Sequence, residues 1–187
     1  MSLPTDDTLM DLIAGGDAAA CRTLLDRHLG PVLAYCQRIL GSRADAEDVA
    51  QEVFVRAWAK SPEWQAGTAR LTTWLHTVAL NLCRDRLRRM RPDPLEDVPE
   101  PVDPSLSAED RVGGREIGHH IDQALAGLPE RQREAIVLSH YQALDNPTVA
   151  QVLNLSVPAV ESLLARARRT LRRQLQPVAD EVLRRTP

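Results

Sequence analysis

Prolines at 92, 94, 99, 101 and 104 divide this chain before any other feature is weighed. Each lacks a backbone N–H and pushes the residue before it out of the α region, so no continuous helix crosses the stretch. From Asp93 to Asp110 the same stretch carries acids, no base and few large apolar side chains. Such a segment has little to bury and repels itself, so residues 92–115 read as an extended acidic linker. A chain of 187 residues cut there leaves two pieces, 1–91 and 116–187, each the size of a small domain.

Both pieces read as helical. Hydrophobic residues make up 43% of the chain and aromatics only 3%, a mix that favours helices over a sandwich of strands. The expected fold class is therefore all-α, two small helical domains joined by a flexible linker. In the first piece, Thr5 caps a short helix that stops at Gly15-Gly16. Asp17 starts a second, broken near Gly30-Pro31 and resumed to Leu40. A third runs from Ser42 to Lys60, and after a loop with Pro62 and Gly67 a fourth runs from Ala69 to Arg91. In the second piece, helices are expected from Arg115 to Ala126 and from Pro129 to Tyr141. A short one capped by Asn146 with Pro147 runs to Leu153, and a long last one capped by Ser156 follows.

A short helix, a tight turn at Asn154-Leu155 and a longer basic helix form a helix-turn-helix pattern over residues 146–173. Val157, Val160, Leu164, Ala167, Leu171 and Leu175 fall on one stripe of the last helix and belong to a core. The opposite side carries Ser162, Arg166, Arg169 and Arg173, whose forked donors match phosphates and guanine edges in a major groove. With Pro158 and Ala159 near the helix start, these are the candidate duplex-reading residues.

The first piece places an acidic helix beside a basic one. In DAEDVAQEVFVRAW (45–58), Ala46, Val49, Ala50, Val53 and Ala57 line a core face. Asp45, Asp48, Glu52 and Arg56, with Gln51 at the edge, line another that suits a basic protein partner rather than DNA. In the fourth helix, Leu71, Leu75, Val78 and Leu82 make the expected core stripe. Thr73, Thr77, Asn81, Arg84 and Arg88 recur along a second face flanked by Trp74, and the helix ends in RDRLRRMR (84–91). Polar donors, arginines and a nearby aromatic suit a phosphate backbone with an unstacked base beside it; for Trp58 and Trp74 packing is the first reading, and for Trp64 in the preceding loop packing and base stacking both stay open.

These blocks resemble the extracytoplasmic-function class of sigma factors, the smallest members of the sigma-70 family. DAEDVAQEVFVRAW is similar to region two-point-two. TTWLHTVALNLCRDRLRR (72–89) is similar to regions two-point-three and two-point-four. LPERQREAIVLSHYQAL (128–144) with VAQVLNLSVPAVESLLARARRTLRRQL (149–175) is similar to region four. The resemblance implies an alternative RNA polymerase sigma factor that directs promoter-specific initiation. It implies docking on the β′ clamp helices through Asp45, Asp48, Gln51, Glu52 and Phe54. It implies that the minus-ten element is held as a single strand by residues 61–70 with Trp64, Thr73, Trp74, Thr77, Asn81, Arg84 and Arg88. Finally, it implies minus-thirty-five duplex reading by Pro158, Ala159, Ser162, Arg166, Arg169 and Arg173, contact of the same domain with the β flap, and control by an anti-sigma factor in a stress or envelope response. One departure stands out: Glu161-Ser162-Leu163-Leu164 replaces the basic residue followed by Ser-Arg-Leu of many relatives, which puts one phosphate contact in doubt.

Two other classes compete. A helix-turn-helix regulator that is no polymerase subunit explains the second piece but not the acidic and Trp/Arg helices of the first. An enzyme or metal sensor would need ligands at definite spacing. His28, His76, His119, His120, His140 and the three cysteines, Cys21, Cys36 and Cys83, supply no such set, and no phosphate loop or nucleophile motif occurs. No catalytic residue, metal or cofactor is expected. The isolated cysteines and the lack of a signal peptide or an apolar run of about 20 residues point to a cytoplasmic protein.

Overall fold

The computed structural model describes residues 3–90 and 112–185. Most of the expected linker lies outside the described residues. The chain divides into two compact units, Met1–Arg91 and Pro92–Pro187. Every regular element among the described residues is helical.

Unit 1 holds α1 (Asp6–Ala14), α2 (Ala18–Leu40), α3 (Arg43–Lys60) and α4 (Leu71–Met90), with one 3₁₀ turn at Ser61–Glu63. Three starts follow from capping side chains. Thr5 accepts from the Thr8 N–H, Asp17 from those of Ala19 and Ala20, and Ser42 from that of Asp45. Gly41, at φ +71°, ends α2 in the left-handed conformation that suits glycine.

The break expected at Gly30-Pro31 does not occur, and α2 is one helix. Pro31 leaves the Arg27 carbonyl, four residues back, without its helical donor, and both Gly30 and Pro31 lie on the exposed side of the helix. Leu24, Val32, Tyr35 and Ile39, buried on the other side, hold the two halves in line. This helix packs against α1, α3 and α4, and α3 packs on α4. Tyr35, Phe54, Leu75 and Leu80 fill the space between them. Cys36 and Cys83 are buried there, whereas Cys21 is half-buried.

Unit 2 holds α5 (Val112–Ala126), α6 (Glu130–Ile136), α7 (Asn146–Leu153) and α8 (Val157–Arg185). Helix α5 begins at Val112, inside the span expected to be linker. The helix expected to run to Tyr141 gives way after Ile136 to a π turn, Val137–Tyr141, in which the Gln142 N–H reaches the Val137 carbonyl at 3.2 Å. Asp145, rather than Asn146, caps α7 by accepting from the Thr148 N–H at 2.9 Å. The α5, α6 and α7 helices all pack on α8. Leu125, Leu138, Val149, Leu153, Val160 and Leu164 form the shared core.

Candidate functional site

The outward face of α3 is acidic but partly neutralised within its own unit. The Arg86 Nε donates to Asp45 Oδ1 at 2.8 Å, its Nη2 donates to the same oxygen, and Nη2 also reaches Asp48 Oδ2 at 3.4 Å. The hydrogen bond from Arg86, then that from Ser42, holds the Asp45 carboxyl below the ordinary aspartate range. The Asp45 side chain is 16% exposed, so most of it is spent on α4 rather than offered to a partner. Asp48, Gln51 and Glu52 face solvent, and Glu52 carries a surface pair with Arg56 at 2.8 Å.

Phe54 is a correction. It is 1% exposed and packs in the core, because α3 meets both α2 and α4 and must bury a wider arc than a single stripe. The apolar residue that shares the face of Asp48, Gln51 and Glu52 is Val55, 46% exposed.

The Asp45–Arg86 pair makes a pH prediction. A carboxyl with a lowered folded value adds stability above its unfolded value, and that stability is lost as pH falls through the folded one. Arg86→Met should therefore lower the thermal midpoint at pH 7. The gap to the parent chain should close as pH drops below the ordinary aspartate value of 3.8 and through the lowered value of Asp45. A gap of constant size down to pH 2 would mean that the Arg86 stem, not its charge, matters.

On α4, Leu71, Leu75, His76, Ala79, Leu80 and Cys83 are buried. The core face is thus turned by about one residue from the expected stripe, and Val78 and Leu82 are only half-buried. The same rotation takes Thr73 inward to 8% exposure, which removes it from any strand-binding face. Its carbonyl accepts from the Thr77 hydroxyl at 2.8 Å. Trp74, Thr77, Asn81, Arg84 and Arg88 remain together on the outer side, at helical spacing, with Asn81 and Arg88 exposed and the other three half-buried. Arg88 pairs with Asp85 at 2.8 Å on the surface.

The loop before α4 is built around Trp64. Its ring meets Trp74 edge-on, with centroids 6.3 Å apart and planes at 82°. Its indole N–H donates to Asp7 Oδ1 at 2.8 Å, and the Gly67 N–H donates to Asp7 Oδ2 at 3.3 Å. Gly67 has φ +76°, a conformation that side chains rarely adopt. Sequence reasoning missed Asp7, Val55 and Arg86, because the first is 57 residues from Trp64 and the third 41 from Asp45.

In unit 2, α7 and α8 meet at a bend of 100°, within the range of helix-turn-helix pairs. Asn154, at φ 52° and ψ 53°, makes the turn, and the Leu155 N–H returns to the Ala150 carbonyl at 2.9 Å. Pro158, Ser162, Arg166, Arg169 and Arg173 are exposed and Ala159 is half-buried, so the expected face of α8 is open. At its start lies a shallow concavity of about 360 Å³, lined by Arg131, Leu155, Ala159, Ser162, Leu163 and Arg166. Arg131, contributed by α6, was not singled out in the sequence. Leu163 lines this hollow where a basic side chain was the expectation of the resemblance.

No group of His, Cys, Asp or Glu able to hold a metal ion is found among the described residues. The His28 Nε2–H donates to Asp6 at 3.0 Å, and His76 bonds the Thr72 carbonyl through Nδ1 at 2.8 Å. No single described helix is long and apolar enough to cross a membrane.

Residues 24–92 match Sigma-70 region 2, and residues 119–171 match Sigma-70, region 4. The chain is 31% identical over 172 residues to the ECF RNA polymerase sigma factor SigW of Bacillus subtilis (strain 168), spanning 86% of this chain and 91% of that one. It belongs to the ECF sigma factors. It is also 35% identical over 165 residues to the ECF RNA polymerase sigma factor SigL of Mycobacterium tuberculosis (strain ATCC 25618 / H37Rv), spanning 87% of this chain and 93% of that relative. Among solved structures, that of CnrH in complex with the cytosolic domain of CnrY matches with a TM-score of 0.70 at 31% identity, over 92% of this sigma factor and 97% of CnrH. The region 2 match takes in α3, the Trp64 loop and α4 of this sigma factor but begins after α1, and the region 4 match takes in α7, the turn and the first half of α8.

Proposed function

We propose that this alternative sigma factor loads on core polymerase through the exposed side of α3, with Asp48, Gln51, Glu52 and Val55 as the contact and Asp45 held back by Arg86. In this reading, the Trp64 loop and the α4 face of Trp74, Thr77, Asn81, Arg84 and Arg88 hold the separated non-template strand of the minus-ten element. The exposed α8 face, with Arg131 beside it, reads the minus-thirty-five element as duplex. The carrying observation is that one packed unit turns an acidic face and a Trp/Asn/Arg face to solvent on adjacent helices. The first suits a basic protein surface and the second a nucleic-acid strand. The chain works in the cytoplasm, where polymerase and chromosome are, and carries out no catalytic chemistry of its own. A protein inhibitor that covers these faces keeps it silent until a stress or envelope signal arrives; CnrH, which this chain resembles in fold and sequence, is solved with a protein bound to it, the cytosolic domain of CnrY.

The test is reconstitution. Purified chain and bacterial core polymerase should yield promoter-directed transcripts that need the chain. Asp48→Arg sets a like charge against a basic partner and should weaken loading at least tenfold, with the fold intact because the side chain is exposed. Transcripts that survive Asp48→Arg unchanged would move the interface off α3. Duplex binding without any loading on polymerase would favour a simple regulator.

A further inference from the structure

One carboxylate joins the first helix to the loop that the preceding reading gives to the promoter strand. Asp7 uses both oxygens on that loop, one on the Trp64 indole N–H at 2.8 Å and the other on the Gly67 N–H at 3.3 Å. The partners lie 57 and 60 residues away in sequence. Residues 65–70 are otherwise exposed, and their internal bonds, from the Thr68 N–H and hydroxyl to the Gln65 carbonyl, only close a turn. Asp7 therefore fixes both the orientation of the Trp64 ring against Trp74 and the path of the chain at Gly67.

The helix that presents Asp7 is itself anchored. Its neighbour Asp6 accepts from the Arg27 Nη1 at 2.5 Å and from His28 Nε2 at 3.0 Å, and Arg27 Nη2 also donates to the Pro4 carbonyl at 2.9 Å. Leu9, Met10 and Ile13, at helical spacing from Asp6, bury the side of α1 that carries it. Two adjacent aspartates thus divide the work: Asp6 ties α1 to α2, and Asp7 ties the loop to α1.

We propose that Asp7 is a positioning residue for promoter opening. By holding Trp64 and Gly67, it keeps the loop and the Trp64–Trp74 pair in the shape that receives an unstacked base of the separated strand. A base that leaves the duplex must find its platform already arranged, since ordering a free loop at that moment weakens capture. This rests on the assignment of the Trp64 loop to the minus-ten strand. It adds that α1, which the region 2 match does not cover, sets the efficiency of that step.

The experiment compares the parent chain with Asp7→Asn, Asp7→Ala and Trp64→Phe, each assembled with core polymerase. Trp64→Phe removes the indole donor while keeping an aromatic ring and leaving α1 untouched, so it serves even if an Asp7 variant folds poorly. Core affinity should stay near the parent value, and the thermal midpoint should fall by no more than roughly 4–8 °C, the shift that goes with about 1 kcal/mol in a domain of this size. Opening of a duplex promoter should slow roughly tenfold, the effect of losing about one charge-assisted hydrogen bond. Tryptophan emission of both Asp7 variants should shift to the red as Trp64 meets water. Opening within twofold of the parent in Asp7→Ala and Trp64→Phe overturns the proposal. So does an equal loss of core affinity and opening in Trp64→Phe, which would make the contact a fold support only. A parent chain that neither loads on polymerase nor opens a promoter overturns the underlying reading, and the proposal with it.

Discussion

Replacing Arg166, Arg169 and Arg173 together with alanine should lower the affinity of the polymerase-loaded sigma factor for a minus-thirty-five duplex by roughly a thousandfold. Three charge-assisted contacts at the low end of their worth amount to about 4 kcal/mol. All three side chains are exposed on α8, so their removal leaves the Val160, Leu164 and Ala167 core intact and the helix folded. The salt dependence separates roles. Each lost phosphate contact makes the slope of log affinity against log salt shallower by about 0.9, so the triple variant should lose roughly 2 to 3 units of slope. Arg166 lies nearest the start of α8, in the hollow with Ser162 and Ala159. Its single replacement should relax preference at one or two base pairs, by about 1–3 kcal/mol each, rather than weaken all sequences evenly. Titrations of matched and mismatched duplexes at several salt concentrations check both statements. An unchanged slope would take α8 off the phosphate backbone.

The second large effect separates core from contact within α3. Phe54→Ala should destabilise unit 1 by about 3–5 kcal/mol, because a fully buried ring leaves a cavity between α3 and its neighbours. Against a typical domain stability of about 5–15 kcal/mol, that brings the unit close to unfolding at growth temperature. Val55→Arg, one residue along, should leave stability nearly unchanged while weakening the loading of core polymerase, since it sets a like charge against the basic partner. Denaturant midpoints with an unchanged slope, read beside polymerase affinities, check the pair. A stable Phe54→Ala chain that fails to load would return Phe54 to the interface and overturn the assignment of Val55.

The sequence was most legible where local chemistry decides. Thr5 reads as a cap and Asp17 and Ser42 as helix starts, and all three cap in the structure. The core side of α3 was legible because Ala46, Val49, Ala50, Val53 and Ala57 recur at helical spacing; Phe54 was misplaced because that spacing does not say how many neighbours the helix meets. The α4 helix shows the same limit. A stripe through Leu75, Val78 and Leu82 is a valid helical face, yet contact with both α2 and α3 turned the helix toward Ala79, Leu80 and Cys83 and drew in Thr73. At Pro31 a strong local signal lost to tertiary packing, since Pro31 itself sits on the exposed side while Val32 and Tyr35 are buried. The π turn after Ile136 had no sequence signal, and the long-range partners Asp7 and Arg86 had none either. Periodicity gives a residue its face but never names the atom across from it.

The distribution of thiols has a practical consequence in optics. With Cys36 and Cys83 sealed in the core and Cys21 half-buried at the first turns of α2, a thiol-reactive dye added to the folded protein has one site to react with. The sigma factor can then carry a single fluorophore on unit 1 without any engineered cysteine. Its arrival on polymerase and its departure can be followed in real time on the same molecule whose Trp64 emission reports the state of the promoter loop.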